Sequence, residues 1–139
     1  MVDAATLSLH PKWLNDDDSQ MVGLWVENTG TGAAVWSSSV TGASYSVPAG
    51  RKLEILNISH RIVETGGGVN VIDLYAASTP TGTDHIKAVF ASSGHGSDSG
   101  ADFQVIPVYI VIEAGDYVTQ TASTSAGYYG QIVGVETTV

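Results

Sequence analysis

Four histidines, at positions 10, 60, 85 and 95, are the residues of this 139-residue chain best suited to proton transfer or metal ligation. No two of them stand at a helical or hairpin spacing that would bring them onto one ion, and no helix carries a His-Glu-x-x-His pattern. Asp16, Asp17 and Asp18 offer the carboxylates that a hard cation wants. Adjacent residues do not converge on one ion, however, and calcium-loop spacing is missing, so a solvated turn is the better reading. His95 and Asp98, with Asp102, could meet in a Gly/Ser-rich loop, where plain solvation explains them as well as a divalent ion does. His60 shares a strand face with Leu56, Ile58 and Ile62, which reads as a buried or interface histidine and not as a ligand.

Nucleophilic chemistry finds no better footing. None of the many serines sits in Gly-x-Ser-x-Gly with the strand-to-helix context that motif requires. Gly66-Gly-Gly68 lacks the Lys-Ser/Thr and the following helix of a phosphate cradle. Paired acids for glycoside hydrolysis depend on spacing in three dimensions, and the chain is small for a cleft that would hold them. The expectation is a non-enzyme with no catalytic residue, no metal and no cofactor.

The elements that would have to position such residues are strands. The chain has 16 glycines, only 14% charged residues, and a surplus of Val, Ile, Thr and Tyr over helix formers. Its length suits one domain with a real core. A net charge of −9, from 14 acids against 5 bases, argues against nucleic acid and against anionic membrane surfaces. There is no cysteine, so stability must come from packing or association. No basic region followed by an apolar run opens the chain, and no stretch approaches the roughly 20 apolar residues of a membrane span. A soluble protein made inside a cell is expected.

Residues 1–20 read as an N-terminal arm, broken by Pro11 and the Asp run, and residues 21–139 as a single β domain. Strands are expected over residues 21–28, 51–64, 69–77, 85–91, 103–112, 116–121 and 128–137, with two short ones around Thr41-Gly42. In the second of these the apolar face switches near Leu56, which predicts a bulge. The Gly/Ser loop at 92–101 has nothing to bury. The strand after it carries Val105, Tyr109 and Val111 on one face and Ile106, Val108, Ile110 and Ile112 on the other. Two apolar faces predict a central strand, covered on one side by the core and on the other by a second layer or subunit. Pro107 disagrees, since proline belongs to edges and bulges. Val47-Pro-Ala-Gly-Arg-Lys-Leu53 and Ile112-Glu-Ala-Gly-Asp-Tyr-Val118 echo one another, as if one tight turn feeds a strand twice.

Aromatic residues remain as a surplus: Trp13, Trp25, Trp36, Tyr45, Tyr117, Tyr128 and Tyr129 suit a sugar platform or an interface. Core packing is expected of Trp25, and one ring of the Tyr128-Tyr129 pair must face outward. The Val47–Leu56 turn and strand, with Ile112-Glu-Ala-Gly-Asp-Tyr-Val118 and the later Gly130-Gln-Ile-Val-Gly-Val-Glu136, resemble small β-sandwich head decoration (cement) proteins and other virion surface modules of tailed bacteriophages and related viruses. The resemblance covers roughly residues 45–137. It implies an all-β, jelly-roll-like antiparallel sandwich of 7–9 strands without significant helix. It further implies a homotrimer on the virion capsid surface, assembled in the host cytoplasm with itself and the major capsid protein as partners. Trp13, Leu14, Tyr109, Val111, Tyr128 and Tyr129 are the candidate interface residues. The rivals are a carbohydrate-binding, lectin-like module using Trp36 or Tyr129, and a receptor-binding or tail-associated module.

Overall fold

A computed structural model describes residues 18–28, 30–63, 69–93, 102–123 and 127–139. Nine strands and no helix occur among them: β1 (Gln20–Asn28), β2 (Ala34–Val35), β3 (Ser37–Ser38), β4 (Arg51–Val63), β5 (Val69–Ala77), β6 (His85–Ser93), β7 (Asp102–Ile112), β8 (Tyr117–Ala122) and β9 (Gly127–Thr138). They form two antiparallel sheets, ordered β3-β1-β9-β4-β7 and β2-β8-β5-β6. The pairings are nested: β1 with β9, β2 with β8, β4 with β7 and β5 with β6. The chain is one long hairpin folded over on itself, closed into two sheets by β4 against β9 and β5 against β8. That is the jelly-roll sandwich expected from the sequence.

Alternation places the core. Leu24 and Val26 of β1, Ile72 and Leu74 of β5, Ile112 of β7 and Ile132 of β9 are buried between the sheets. On β4 the inward residues are Leu53 and Ile55, then Ile58 and His60. Between Ile55 and Ile58 the strand advances three residues, whereas β9 advances two (Gly134 to Ile132) and β7 four (Ile110 to Ile106). The irregularity lies at Leu56, where the apolar face switches in the sequence. It turns His60 inward, between the rings of Phe90 and Tyr128 at centroid distances of 6.0 and 5.8 Å.

Three expectations need correction. The strand with two apolar faces is not central: β7 is an edge of the five-stranded sheet, and β9 and β4 are the interior strands. Pro107 was the better signal, because an edge strand loses nothing by lacking one ladder donor. Trp25 is not in the core but on the outer face, in step with Met21 and out of step with Val22, Leu24 and Val26. The two short strands both precede Thr41-Gly42, and beyond that turn only isolated bridges form, Ser37 with Ser44 and Ser46 with Tyr117.

The two echoing turns lie side by side. Gly50 and Gly115 each adopt a positive φ, 75° and 87°. Val47 N–H donates to Asp116 O at 2.9 Å, and Gly115 N–H donates to Val47 O at 2.8 Å. Beside them, Tyr45 Oη donates to Glu136 Oε1 at 2.6 Å, and Arg51 Nε pairs with Glu136 Oε2 at 3.0 Å. Arg51 Nη2 also donates to the carbonyls of Glu136 and Asp18. One end of the sandwich is thus tied by a buried carboxylate whose oxygens are both engaged.

Burial, and then the bond to Glu136, hold the Tyr45 hydroxyl far above its ordinary pKa; burial alone does the same to Tyr128. Both keep their protons in the fold at a pH where the unfolded chain has lost them. Their contribution is complete below about pH 10 and declines as pH rises beyond it. Thermal unfolding followed by circular dichroism should show stability falling above pH 10, by about 1.4 kcal/mol per pH unit from Tyr128. Tyr128→Phe should make that decline shallower. Packing gives a second expectation. A Cβ on Gly130 would stand 2.5 Å from Trp36 Cη2 and 2.9 Å from Tyr128 Cε1, whereas one on Gly32 would meet nothing within 4 Å. Gly130→Ala should cost about 1–3 kcal/mol in denaturant unfolding, and Gly32→Ala less than about 0.5 kcal/mol.

Candidate interaction surface

The outer face of the five-stranded sheet is built from the residues that alternate with the core. Successive rows across β1, β9, β4 and β7 are Met21–Val135–Glu54–Val111, Gly23–Val133–Asn57–Pro107 and Trp25–Gln131–Ser59–Val105. Tyr129 follows, between Glu27 and Arg61. Solvent reaches 57% of Met21, 56% of Val105 and 69% of Tyr109, and Trp25, Tyr129 and Val133 are each about 40% exposed. Scattered exposed apolar residues are ordinary, but six large ones on one face of one sheet, interleaved with Gln131, Ser59 and Asn57, make it the candidate interaction surface. Its charges are few and partly neutralised. Lys52 Nζ lies 3.5 Å from Glu54 Oε1, which also accepts from Tyr109 Oη at 2.7 Å. That hydrogen bond keeps the Tyr109 hydroxyl above its ordinary pKa.

The sheet edges offer less. On β7, Pro107 and the offset between Pro107 and Ile110 interrupt the ladder. On β6, Leu74 pairs with Ala88 and Tyr75 with Ile86, so Lys87 is an extra, charged residue at the edge of the other sheet. Proline, bulges and edge lysines all discourage strand-to-strand addition.

Of the six candidate interface residues, Tyr109, Val111 and Tyr129 share this surface, with Val111 half-buried. Tyr128 does not: it is fully buried, with its ring against His60. Being one residue from Tyr129 in an extended strand, it points the opposite way. Trp13 and Leu14 lie outside the described residues, as do Asp16, Asp17, His10, His95 and Asp98. Trp36 is fully buried and cannot serve as a sugar platform. Val105 shares the face expected for Tyr109 and Val111, whereas Met21, Trp25 and Val133 were missed, and alternation would have grouped these three had β1 and β9 been recognised as neighbours. Among the described residues, no group of three or more His, Asp or Glu could hold a metal ion. No protein-family model matches this sequence, and no curated protein matches it significantly.

Proposed function

We propose that this chain is a non-enzymatic virion structural protein, a capsid decoration (cement) protein that assembles as a homotrimer and stabilises a capsid surface. The observation that carries the reading is the apolar outer face of the five-stranded sheet, whose β7 edge is interrupted at Pro107. A second copy of the same chain is its occupant. Covering what remains exposed of Met21, Val105, Tyr109 and Val133 would contribute roughly 3–7 kcal/mol. Association costs are of similar size, about 4–15 kcal/mol, so substitutions on this face decide whether the assembly forms. The resemblance to phage decoration proteins supplies the trimeric order and the capsid as partner. The net charge of −9 keeps the remaining outer surface soluble, and residues 1–20 are the segment assigned to capsid contact.

Sedimentation velocity at about 10 µM, a concentration at which interfaces of roughly 8 kcal/mol are occupied, should show one species near three times 14.4 kDa. Val105→Asp combined with Val133→Asp should give a folded monomer with an unchanged circular dichroism spectrum. Deleting residues 1–20 should leave the trimer intact and weaken binding to capsids of the encoding phage in a pelleting assay. A wild-type chain that sediments as a monomer and does not pellet with capsids overturns the proposal.

A further inference from the structure

A second surface lies at the other end of the same sheet. β3 meets β1 with Leu24 opposite Ser38 and Trp25 opposite Ser37. Continued by two residues, that register would set Val35 against Glu27. The chain does not allow it, because it crosses between the sheets at Trp36. Val35 pairs instead with Thr119 of β8, in the opposite sheet. Ser39 N–H donates to Gly23 O on the β3 side. Backbone groups of alternate residues point the same way in an antiparallel ladder. The N–H and C=O of Glu27 therefore face the side where β3 has ended, and no described strand meets them.

The gap is a half-open groove of about 320 Å³ lined by Trp25, Val26, Glu27, Val35 and Ser37. Its size falls at the lower end of the roughly 300–1,000 Å³ of small-molecule sites. An indole and a valine give it an apolar wall. The Glu27 carboxylate, the Ser37 hydroxyl and Trp25 Nε1 give it hydrogen-bonding groups that no other described residue engages. Elsewhere the exposed polar side chains are often committed locally, as Asp84 is to the amide and hydroxyl of Ser78, both at 2.7 Å.

We infer that this groove binds one neutral hexopyranose ring of a glycan. Such a ring has a C–H face that packs on an indole and an edge of hydroxyls that donate to a carboxylate. The strongest bonds would be the charge-assisted ones to Glu27, with Ser37 and the Glu27 backbone groups that no described strand meets completing the set. Phosphates, uronates and sialic acids are disfavoured, because a chain of net charge −9 with a carboxylate in the groove repels anions. The site does not depend on the trimer. Trp25 lies three strand spacings, about 14 Å, across the sheet from β7.

The test uses the full-length, nitrogen-15-labelled chain, titrated with the methyl glycosides of glucose, galactose and N-acetylglucosamine and, separately, with glucuronate. The Trp25 indole N–H resonance, assigned by its loss in Trp25→Phe, should shift in a saturable way with at least one neutral glycoside, at a roughly millimolar Kd. Trp25→Ala should abolish saturation-transfer signals to that sugar, and Glu27→Gln should weaken binding about tenfold, the equivalent of one charge-assisted hydrogen bond. The sugar should still bind the Val105→Asp chain, whose substitution lies at the far edge of the association face, which separates this site from assembly. The inference is overturned if no neutral glycoside shifts the Trp25 resonance at concentrations roughly tenfold above millimolar. It is equally overturned if Trp25→Ala binds like wild type, or if glucuronate binds as tightly as the best neutral sugar.

Discussion

The structure turns on one contact, the Trp36 indole set into the space that Gly130 leaves on β9. A side chain at 130 would collide with that ring, since even a Cβ would come within 2.5 Å. The glycine therefore lets the largest residue of the core sit against the middle strand of the opposite sheet. Trp36 is also where the chain changes sheets, between β2 and β3. Its backbone serves the crossing, with its N–H donating to Val118 O and its carbonyl accepting from Tyr45 N–H, both at 2.9 Å. Two consequences follow from anchoring the crossover there. Tyr45 is delivered to Glu136 at the tied end of the sandwich, and β3 is cut short, leaving Glu27 facing an open groove.

The outer face of the five-stranded sheet is the complement of the same geometry. A jelly roll needs two sheets with apolar inner faces and can tolerate polar outer ones. Here only the four-stranded sheet follows that economy in part: Asp73, Tyr75 and Thr121 lie outward on it, and Thr119 is covered as its hydroxyl donates to Gly82 O in the β5–β6 turn. The five-stranded sheet keeps Met21, Trp25, Val105, Tyr109, Tyr129 and Val133 exposed on its outer face. Pro107 and the extra Lys87 each interrupt one edge, β7 of the five-stranded sheet and β6 of the four-stranded one, and discourage strand pairing there.

Much of this was legible from alternation. The inward positions of β1, the face switch at Leu56 and the opposite fates of Tyr128 and Tyr129 all follow from a period of two. Buried His60 followed from its neighbours. Misreadings arose where alternation does not say which strand lies beside which. The run from Val105 to Ile112 has two apolar faces in either a central or an edge strand, so its place depended on giving Pro107 its due weight. β9, the true centre, reads weakly because Gly130 and Gly134 occupy inward positions where a core strand usually shows large residues. Trp25 and Trp36 could not be told apart by type. Their difference lies in parity on one strand and in a crossover that has no local signature. The groove was invisible for the same reason, being made by a strand that stops pairing.

The two surfaces are compatible because the sheet is wide. The proposed association face runs from Val133 on β9 to Val105 and Tyr109 on β7, and the groove opens beyond β1, at the opposite edge. The apolar face has two members on β1, and Met21 lies four residues, about 13 Å, along the strand from Trp25. A copy seated over Val105, Tyr109 and Val133 thus covers the middle and far edge of the sheet and leaves the Trp25 corner in solvent. In the proposed trimer, where head-to-tail contacts set this face against a different surface of the next subunit, that corner would be presented once per subunit on equivalent positions. A weak single-ring site repeated in this way gains by multivalency what it lacks in contact area. The short β3 strand that weakens one corner of the sandwich would then be the feature that lets an assembly hold a repeating polymer.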